Sequence, residues 1–338
     1  MEKFRQFADE STGVNPFIPV WGQTRPSVAS RVLGVPMALA RTSVLLVSLG
    51  MFAVFSAGTE LMYLEHLRVI FYSVFLNGLS RVILLCLGCV WMSETLDKGV
   101  SVGPGQEGES RRSRRVIYVN RQGFCDILVC SSILGDPEYL FMESSGVYLA
   151  SSSWSALLFT LGFRSWRGVS RLSSASKLKS QYSLRPLVLF MEEANTNGTC
   201  ILEWRSTERI PDTCEMRRLF GENLESMVIK YKLGSSYGPQ FTTGDLTSHL
   251  LGMLSKITYF EIDLGVISRE AMKGRMTRRS ETDKTGADPK KGRRIDDMLI
   301  SIQNIQGKSS GLPVVSSGAE EAAAFTEYWR RTSRGKSV

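Results

Sequence analysis

Histidine is almost absent: the 338 residues contain two, His66 and His249. That scarcity leaves few imidazoles for a general base and none spaced for a zinc cluster. Cysteine is sparse too. The six residues Cys86, Cys89, Cys125, Cys130, Cys200 and Cys214 form no pair of Cys-x-x-Cys motifs and have no histidines at zinc spacing. A disulfide framework or structural zinc is therefore not expected, and a reducing, cytosol-facing environment is. The first thirty residues are polar and carry Pro16, Pro19 and Pro26 instead of a short apolar run before a small-residue cleavage site, so a cleaved signal peptide is not expected either. No internal repeat is visible.

Acidic residues are outnumbered, giving a formal charge of +8. The excess is concentrated. Arg269 to Arg294 holds ten Lys/Arg against four Asp/Glu, a net of +6, with Gly274, Gly286, Pro289 and Gly292 and almost no large apolar residues. That composition predicts a disordered loop over 269–295. No aromatics interleave the charges, which argues against nucleic acid as a partner. The sharper reading of these cations is contact with an anionic phospholipid surface, where each is worth about 1 kcal/mol.

Long apolar runs are confined to the region from Val32 to Met92. "TSVLLVSLGMFAVFSAG", Thr42 to Gly58, is uncharged and seventeen residues long, the short limit for a spanning helix. A second run from Leu67, "LRVIFYSVFLNGLSRVILLCLG", is broken by Arg68, Asn77 and Arg81, which suits a helix lying in the interface. Together they predict a membrane-docking helical hairpin within residues 1–98. Arginines 25, 31, 111, 112, 114 and 115 flank it on the side expected to face the cytosol.

A glycine-rich stretch over 99–115 is expected to be a flexible loop. Beyond it, short β-type runs alternate with helical ones. Strands are predicted at Val116–Val119, Tyr139–Met142, Leu187–Met191, Met227–Leu233 and near Tyr259–Leu264. Helices are predicted at Asp126–Leu134, Ser153–Leu161, Val169–Tyr182 and Asp245–Lys256. This alternation indicates an α/β layered domain over 116–268 with a central, mostly parallel sheet. The closing "GAEEAAAFTEYWRRTSR", acidic first and basic last, predicts a helix in the 296–338 segment, packed on the domain.

Three stretches carry candidate chemistry. In "VNRQGFCDILV" a strand runs into Asn120 and Arg121, and Asp126 follows five residues after the arginine at a helix start. The plainer role for Asp126 is to cap that helix. In "LVLFMEEANTNGTCILEW" a strand runs into Glu192 and Glu193 and then the turn Asn195-Thr196-Asn197-Gly198, whose backbone N–H groups could hold an anion. Asn197-Gly198-Thr199 is also a glycosylation sequon, unused in a cytosolic turn. In "LGFRSWRGVSR", Arg164 and Arg167 offer planar forks for phosphate. A fourth stretch, Gly234 to Gly238, matches GxSxG. Pro239 follows it where a hydrolase elbow needs a helix, so a hydrolase is not expected.

In order and spacing the three blocks resemble the glycerolipid, or lysophosphatidic acid, acyltransferase family, whose members carry NHxxxxD, an arginine-bearing block and FPEGTxxNG. The first block here reads Asn120-Arg121-Gln122-Gly123-Phe124-Cys125-Asp126. The third reads Phe190 to Gly198, placing Glu192 on the motif glutamate and Asn197-Gly198 on its NG. The opening "MEKFRQFADESTGVNPFIPV" and closing "FTEYW" are similar to a fungal subgroup that also lacks the histidine. The resemblance implies acyl transfer from acyl-CoA, as co-substrate with no bound cofactor or metal, to lysophosphatidic acid or a related lysophospholipid. It also implies endoplasmic reticulum membrane and lipid droplets as the location, with a link to vacuolar protein sorting. Asp126 and Arg121 then fall at the catalytic positions, and Glu192, Glu193, Asn197, Gly198, Arg164 and Arg167 at the substrate-binding ones.

Arginine stays protonated at working pH, so Arg121 cannot replace a histidine base. Three alternatives stay open. Asp126 or Glu193, with a pKa raised by burial, could serve as base. Positioning and oxyanion stabilisation could supply the rate, with Arg121 as an electrostatic element. The fold could instead persist as a lipid-binding or scaffolding module.

Overall fold

The computed structural model describes residues 2–19, 28–62, 64–96, 115–163, 168–172, 185–204, 224–233, 238–255, 259–267 and 295–334. The expected loops at 99–115 and 269–295 fall almost entirely outside them, as do Arg164, Arg167 and Ser236.

A short 3-10 helix (Glu2–Phe7) opens the N-terminal arm, and two helical arms follow. The helix α1 (Val28–Glu60) turns back through α2 (Glu65–Phe71) and packs against a short π-turn (Tyr72–Leu76) and α3 (Asn77–Cys86), with Phe55 touching Phe71 of α2. Inside the hairpin lie Leu45, Phe52, Tyr72, Leu76 and Ile83, all buried, while Leu39, Val47, Val54, Ile70, Val74 and Leu85 point outward and are more than half exposed. Leu33–Thr59 is long and apolar enough to cross a membrane, by length and composition, and only 17% of its most apolar stretch is buried. A face this large and apolar marks a contact surface.

The hairpin leads into an eight-stranded sheet. Its strands are β1 (Cys89–Leu96), β2 (Val116–Val119), β3 (Glu138–Glu143), β4 (Gly146–Ala150), β5 (Val169–Arg171), β6 (Leu187–Phe190), β8 (Leu224–Leu233) and β9 (Phe260–Ile267). The two-residue β7 (Ile201–Leu202) pairs separately, in parallel, with β10 (Val314–Val315). The spatial order of the large sheet is β1-β9-β8-β2-β6-β3-β4-β5. The central four, β8, β2, β6 and β3, are parallel, and antiparallel pairing sets in on either side. This is a mixed α/β fold with a mostly parallel centre.

Side chains alternate across the sheet as the two-residue period requires. Ile117, Val119, Phe141, Val188, Phe190 and Ile229 face one core, built with the hairpin, α4 (Cys125–Ile133), α5 (Ser153–Thr160) and α6 (Leu246–Ser255). Tyr118, Leu140, Leu189 and Met191 face the other, where Trp204 and residues of α7 (Ile295–Ser310) cover them. Both faces are covered, which is why β2, β6 and the middle of β3 read as unbroken apolar runs. The C-terminal helix α8 (Ala319–Arg334) packs Phe325 against Phe4, Phe7 and Phe17 of the N-terminal arm.

Two differences from the sequence reading stand out. The predicted helix from Val169 begins instead as β5, whose residues pair with β4; beyond Leu172 it lies outside the described residues. Three residues are too few to show a period, and Gly168 in front of them, with φ of +93°, turns the chain onto the sheet edge. β1 lies before residue 98, where the membrane segment was expected to end, yet it pairs in parallel with β9 inside the sheet.

Candidate functional site

The strands β2 and β6 are neighbours, in register from Val116–Leu187 to Val119–Phe190. Their ends therefore deliver Asn120-Arg121 and Met191-Glu192 to the same place, seventy residues apart in sequence. The carboxyl ends of parallel strands are where open α/β sheets bind ligands.

The chain turns between β2 and α4 because three groups hold it. Asn120 spans to β8, donating from Nδ2 to the Ile229 carbonyl (3.0 Å) and accepting the Ile229 N–H at Oδ1 (2.8 Å). Asp126 reaches back from the first turn of α4. Its Oδ2 accepts the N–H groups of Gln122 (2.6 Å) and Gly123 (2.8 Å), and its Oδ1 accepts the Tyr231 hydroxyl (2.6 Å). Glu192 completes the corner: Oε2 accepts the Arg121 N–H (2.7 Å) and Oε1 the Leu202 N–H (3.1 Å). The Arg121 carbonyl in turn accepts from the N–H (3.0 Å) and hydroxyl (3.2 Å) of Thr196.

Burial governs the charges. Asp126 is fully enclosed, and desolvation pushes its pKa up to about 6 even though three donors oppose the rise. Desolvation likewise raises Glu192 to about 8, against its two backbone donors. The Arg121 guanidinium is pulled down by desolvation and held up chiefly by Glu143 at the end of β3.

Arg121 is 8% exposed, and its fork is poorly satisfied. Nη1 lies 3.4 Å from the Glu192 carbonyl and Nη2 3.6 Å from Glu143 Oε1. Nε is buried with no partner, and Cζ sits 5.6 Å from the centre of the Phe141 ring. Four more buried polar atoms lack partners in the segments that meet at the corner: Gln122 Oε1, Asn195 Oδ1, Gln240 Oε1 and Thr243 Oγ1. They come from the corner, the 195–198 turn and the 238–243 loop, joined by Phe241 N–H to Gln122 O (3.1 Å) and Asn195 Nδ2 to Phe241 O (3.0 Å). Buried polar groups are nearly always paired, so such a concentration points to a place where a ligand or ordered water completes the bonding.

The structure thus brings Arg121, Asp126 and Glu192 into one hydrogen-bonded unit. Glu193 follows Glu192, half-buried. Asn197 faces elsewhere. Its N–H donates to Pro16 O (2.8 Å) and its Nδ2 to Asn15 O and Ile18 O (3.0 Å each), while Oδ1 accepts from the N–H (3.1 Å) and hydroxyl (2.6 Å) of Thr199. It latches the N-terminal arm. Gly198, at φ of +80°, backs onto the Gln122 amide, which a Cβ would strike.

The sequence reading missed Tyr231, Glu143, Gln122 and the 238–243 loop. Tyr231 alone offered a signal, since a tyrosine on a core-facing strand needs a partner for its hydroxyl. His249 is buried beside Phe241 (5.2 Å between rings), hydrogen-bonded to the Pro239 backbone. Desolvation lowers it to about 4, so it is neutral at pH 7. It braces the 238–243 loop. Among the described residues no cluster of metal-ligating side chains occurs, and the five described cysteines are free.

No protein-family model matches the chain. It is 26% identical, over 134 residues, to a Schizosaccharomyces pombe protein whose naming as a lysophosphatidic acid:oleoyl-CoA acyltransferase is itself provisional. The match covers 39% of this chain and 42% of that relative, so it spans less than half of the relative's length. The solved structure of the 1-acyl-sn-glycerophosphate (LPA) acyltransferase PlsC from Thermotoga maritima superposes at a TM-score of 0.44 and 10% identity, over 83% of this chain and 98% of that one. A likeness that slight carries no argument; the fold rests on the strand order above.

Proposed function

We propose that this protein, similar over 134 residues to a lysophosphatidic acid:oleoyl-CoA acyltransferase, transfers an acyl group from acyl-CoA to lysophosphatidic acid or a related lysophospholipid. One observation carries the reading. The Asn120–Asp126 and Phe190–Gly198 blocks, distant in sequence, close into one corner around the under-satisfied cation Arg121.

In the reaction the acceptor hydroxyl attacks the thioester carbonyl. A C–O bond forms, the C–S bond breaks, and the hydroxyl proton ends on the departing CoA sulfur. A thiol pKa near 8.5 makes that sulfur a competent final acceptor. Asp126 has both oxygens bound by protein donors, so its part is to hold the corner. The guanidinium of Arg121 supplies fixed positive charge for the developing oxyanion or for the acceptor's phosphate. Rate then comes from positioning and electrostatics, with no histidine base. Arg164 and Arg167 are proposed as further phosphate contacts, and Glu193, beside Glu192, as a substrate-side acid.

The exposed apolar face of the hairpin is proposed to dock on endoplasmic reticulum and lipid-droplet membranes, with the sheet domain in the cytosol. A second reading, a lipid-binding scaffold in lipid-droplet or vacuolar sorting machinery, is favoured by the engagement of every Asp126 and Glu192 carboxylate oxygen with a protein donor, the pattern of groups that hold structure. Incubating the purified full chain in nanodiscs with labelled oleoyl-CoA and lysophosphatidic acid separates the two. Labelled phosphatidic acid above the protein-free background supports the enzyme. Background alone across a panel of lysophospholipids leaves the scaffold.

A further inference from the structure

A cavity of about 390 Å³ opens between α3 and the edge strand β1, lined by Arg81, Leu84, Leu85, Cys89, Val90, Trp91 and Met92. Its volume falls in the range of sites that hold small ligands. The lining is apolar apart from Arg81, and its rim residues Leu85, Val90 and Trp91 are 59–65% exposed. Such side chains at a sheet edge invite either strand pairing or an apolar occupant.

Three observations identify the occupant. The groove continues the exposed apolar face of the hairpin, since Val82 and Leu85 belong to α3 and Val90 and Trp91 follow it directly. Arg81 forms no ion pair or hydrogen bond among the described residues. A tryptophan beside an arginine at the margin of an apolar surface is the pairing that suits the headgroup level of a bilayer, the ring amphipathic and the arginine stem reaching toward phosphate.

We propose that this groove is a binding site for an anionic membrane phospholipid, separate from the acyl-transfer corner, with the phosphate on Arg81 and one acyl chain along Leu84, Leu85 and Trp91. The strand register places it usefully. Tyr231, which holds Asp126, pairs with Ile262, and Ile262 pairs with Met92. The bound lipid would thus lie two strand spacings, about 10 Å, from that tyrosine. It would fix the height of the corner above the membrane.

The test uses the full chain in phosphatidylcholine nanodiscs doped with either brominated phosphatidylserine or brominated phosphatidylcholine. Fluorescence of Trp91 is taken as the difference between the wild type and Trp91→Phe, a surface change that should not disturb folding. One cation near the surface corresponds to about a fivefold preference, so the phosphatidylserine label should half-quench at about fivefold lower mole fraction. Arg81→Gln should abolish that preference. Equal quenching by both labels reduces the groove to ordinary bilayer contact and overturns the proposal, as does no quenching of Trp91. Relief of quenching by oleoyl-CoA also overturns it, because the groove would then hold the co-substrate's chain. None of these readouts requires turnover, so the proposal stands or falls apart from the assigned activity.

Discussion

Replacing Asp126 gives the sharpest test of how the corner is held. Its carboxylate accepts two backbone N–H groups, at 2.6 and 2.8 Å, and the Tyr231 hydroxyl at 2.6 Å, all in a fully enclosed site. Asp126→Ala strands all three donors. Each buried donor left unmatched costs roughly 1–3 kcal/mol, and neighbours do not add fully, so the loss should be about 3–5 kcal/mol. Asp126→Asn keeps an oxygen for the two N–H groups and turns its amide toward Tyr231, whose hydroxyl can accept. It forgoes charge-assisted strength but also escapes the desolvation that lifts the acid to about 6. The net should lie within about 2 kcal/mol of wild type. For a chain of 338 residues, at about 2.1 cal/mol/K of unfolding entropy per residue, 1 kcal/mol moves Tm by roughly 1.4 °C. Thermal melting of the full chain in detergent, followed by tryptophan fluorescence, should show alanine down by roughly 4–7 °C and asparagine far closer to wild type. Equal losses for the two variants, or an alanine variant that melts like wild type, would refute the bonding scheme.

Other perturbations follow from the same geometry. Asp126 and Glu192 have folded pKa values above their ordinary ones, so the stability they contribute is complete below about pH 4 and is lost as pH rises through about 6 and about 8. Tm should fall across that window, with Glu192→Gln flattening the upper part; a wild-type Tm that rises there contradicts the assignment. Arg185→Gln should cost about 3–5 kcal/mol, because it removes the cation that bridges Asp136 and Glu138, side chains only 2% exposed that now lie 2.8 and 2.9 Å from the guanidinium. Urea midpoints measure it, and a loss under about 1 kcal/mol would show that the cluster holds without Arg185, with Arg68 2.6 Å from Asp136. Gly198→Ala should lose at least about 1–2 kcal/mol from its positive φ, and more from the Gln122 amide in its path. An unshifted melting curve would mean the turn relaxes freely.

The parts of the fold that sequence reading captured are those that local pattern decides. β2, β3, β6, β8 and β9 and helices α4, α5 and α6 stand within a few residues of expectation because β2, β6 and the middle of β3 are continuous apolar runs, β8 and β9 interleave apolar with polar residues, and the helices between them are bounded by polar turns. β4 and β5 form only by hairpin pairing with a neighbour, and β1 exposes Val90 and Trp91 at an edge, so none shows a burial period. At the site, the positions of Arg121, Asp126 and Glu192 were legible as motif spacing. What those carboxylates bond to was not, because Ile229, Tyr231 and Leu202 come from other strands. Asn197 is the clearest case. Its motif position suggested substrate, whereas its amide is committed to Asn15 and Ile18, some 180 residues away.

The central claim is that the cation at position 121 does the work of the corner without acting as a base. Its most direct test is kcat/KM for acyl transfer from oleoyl-CoA to lysophosphatidic acid in wild type and Arg121→Met, with melting curves to confirm that both are folded. Loss of a fixed charge facing a developing anion predicts a fall of about 10²–10³-fold, mainly in kcat. An Arg121→Met protein that folds and turns over like wild type would contradict the account.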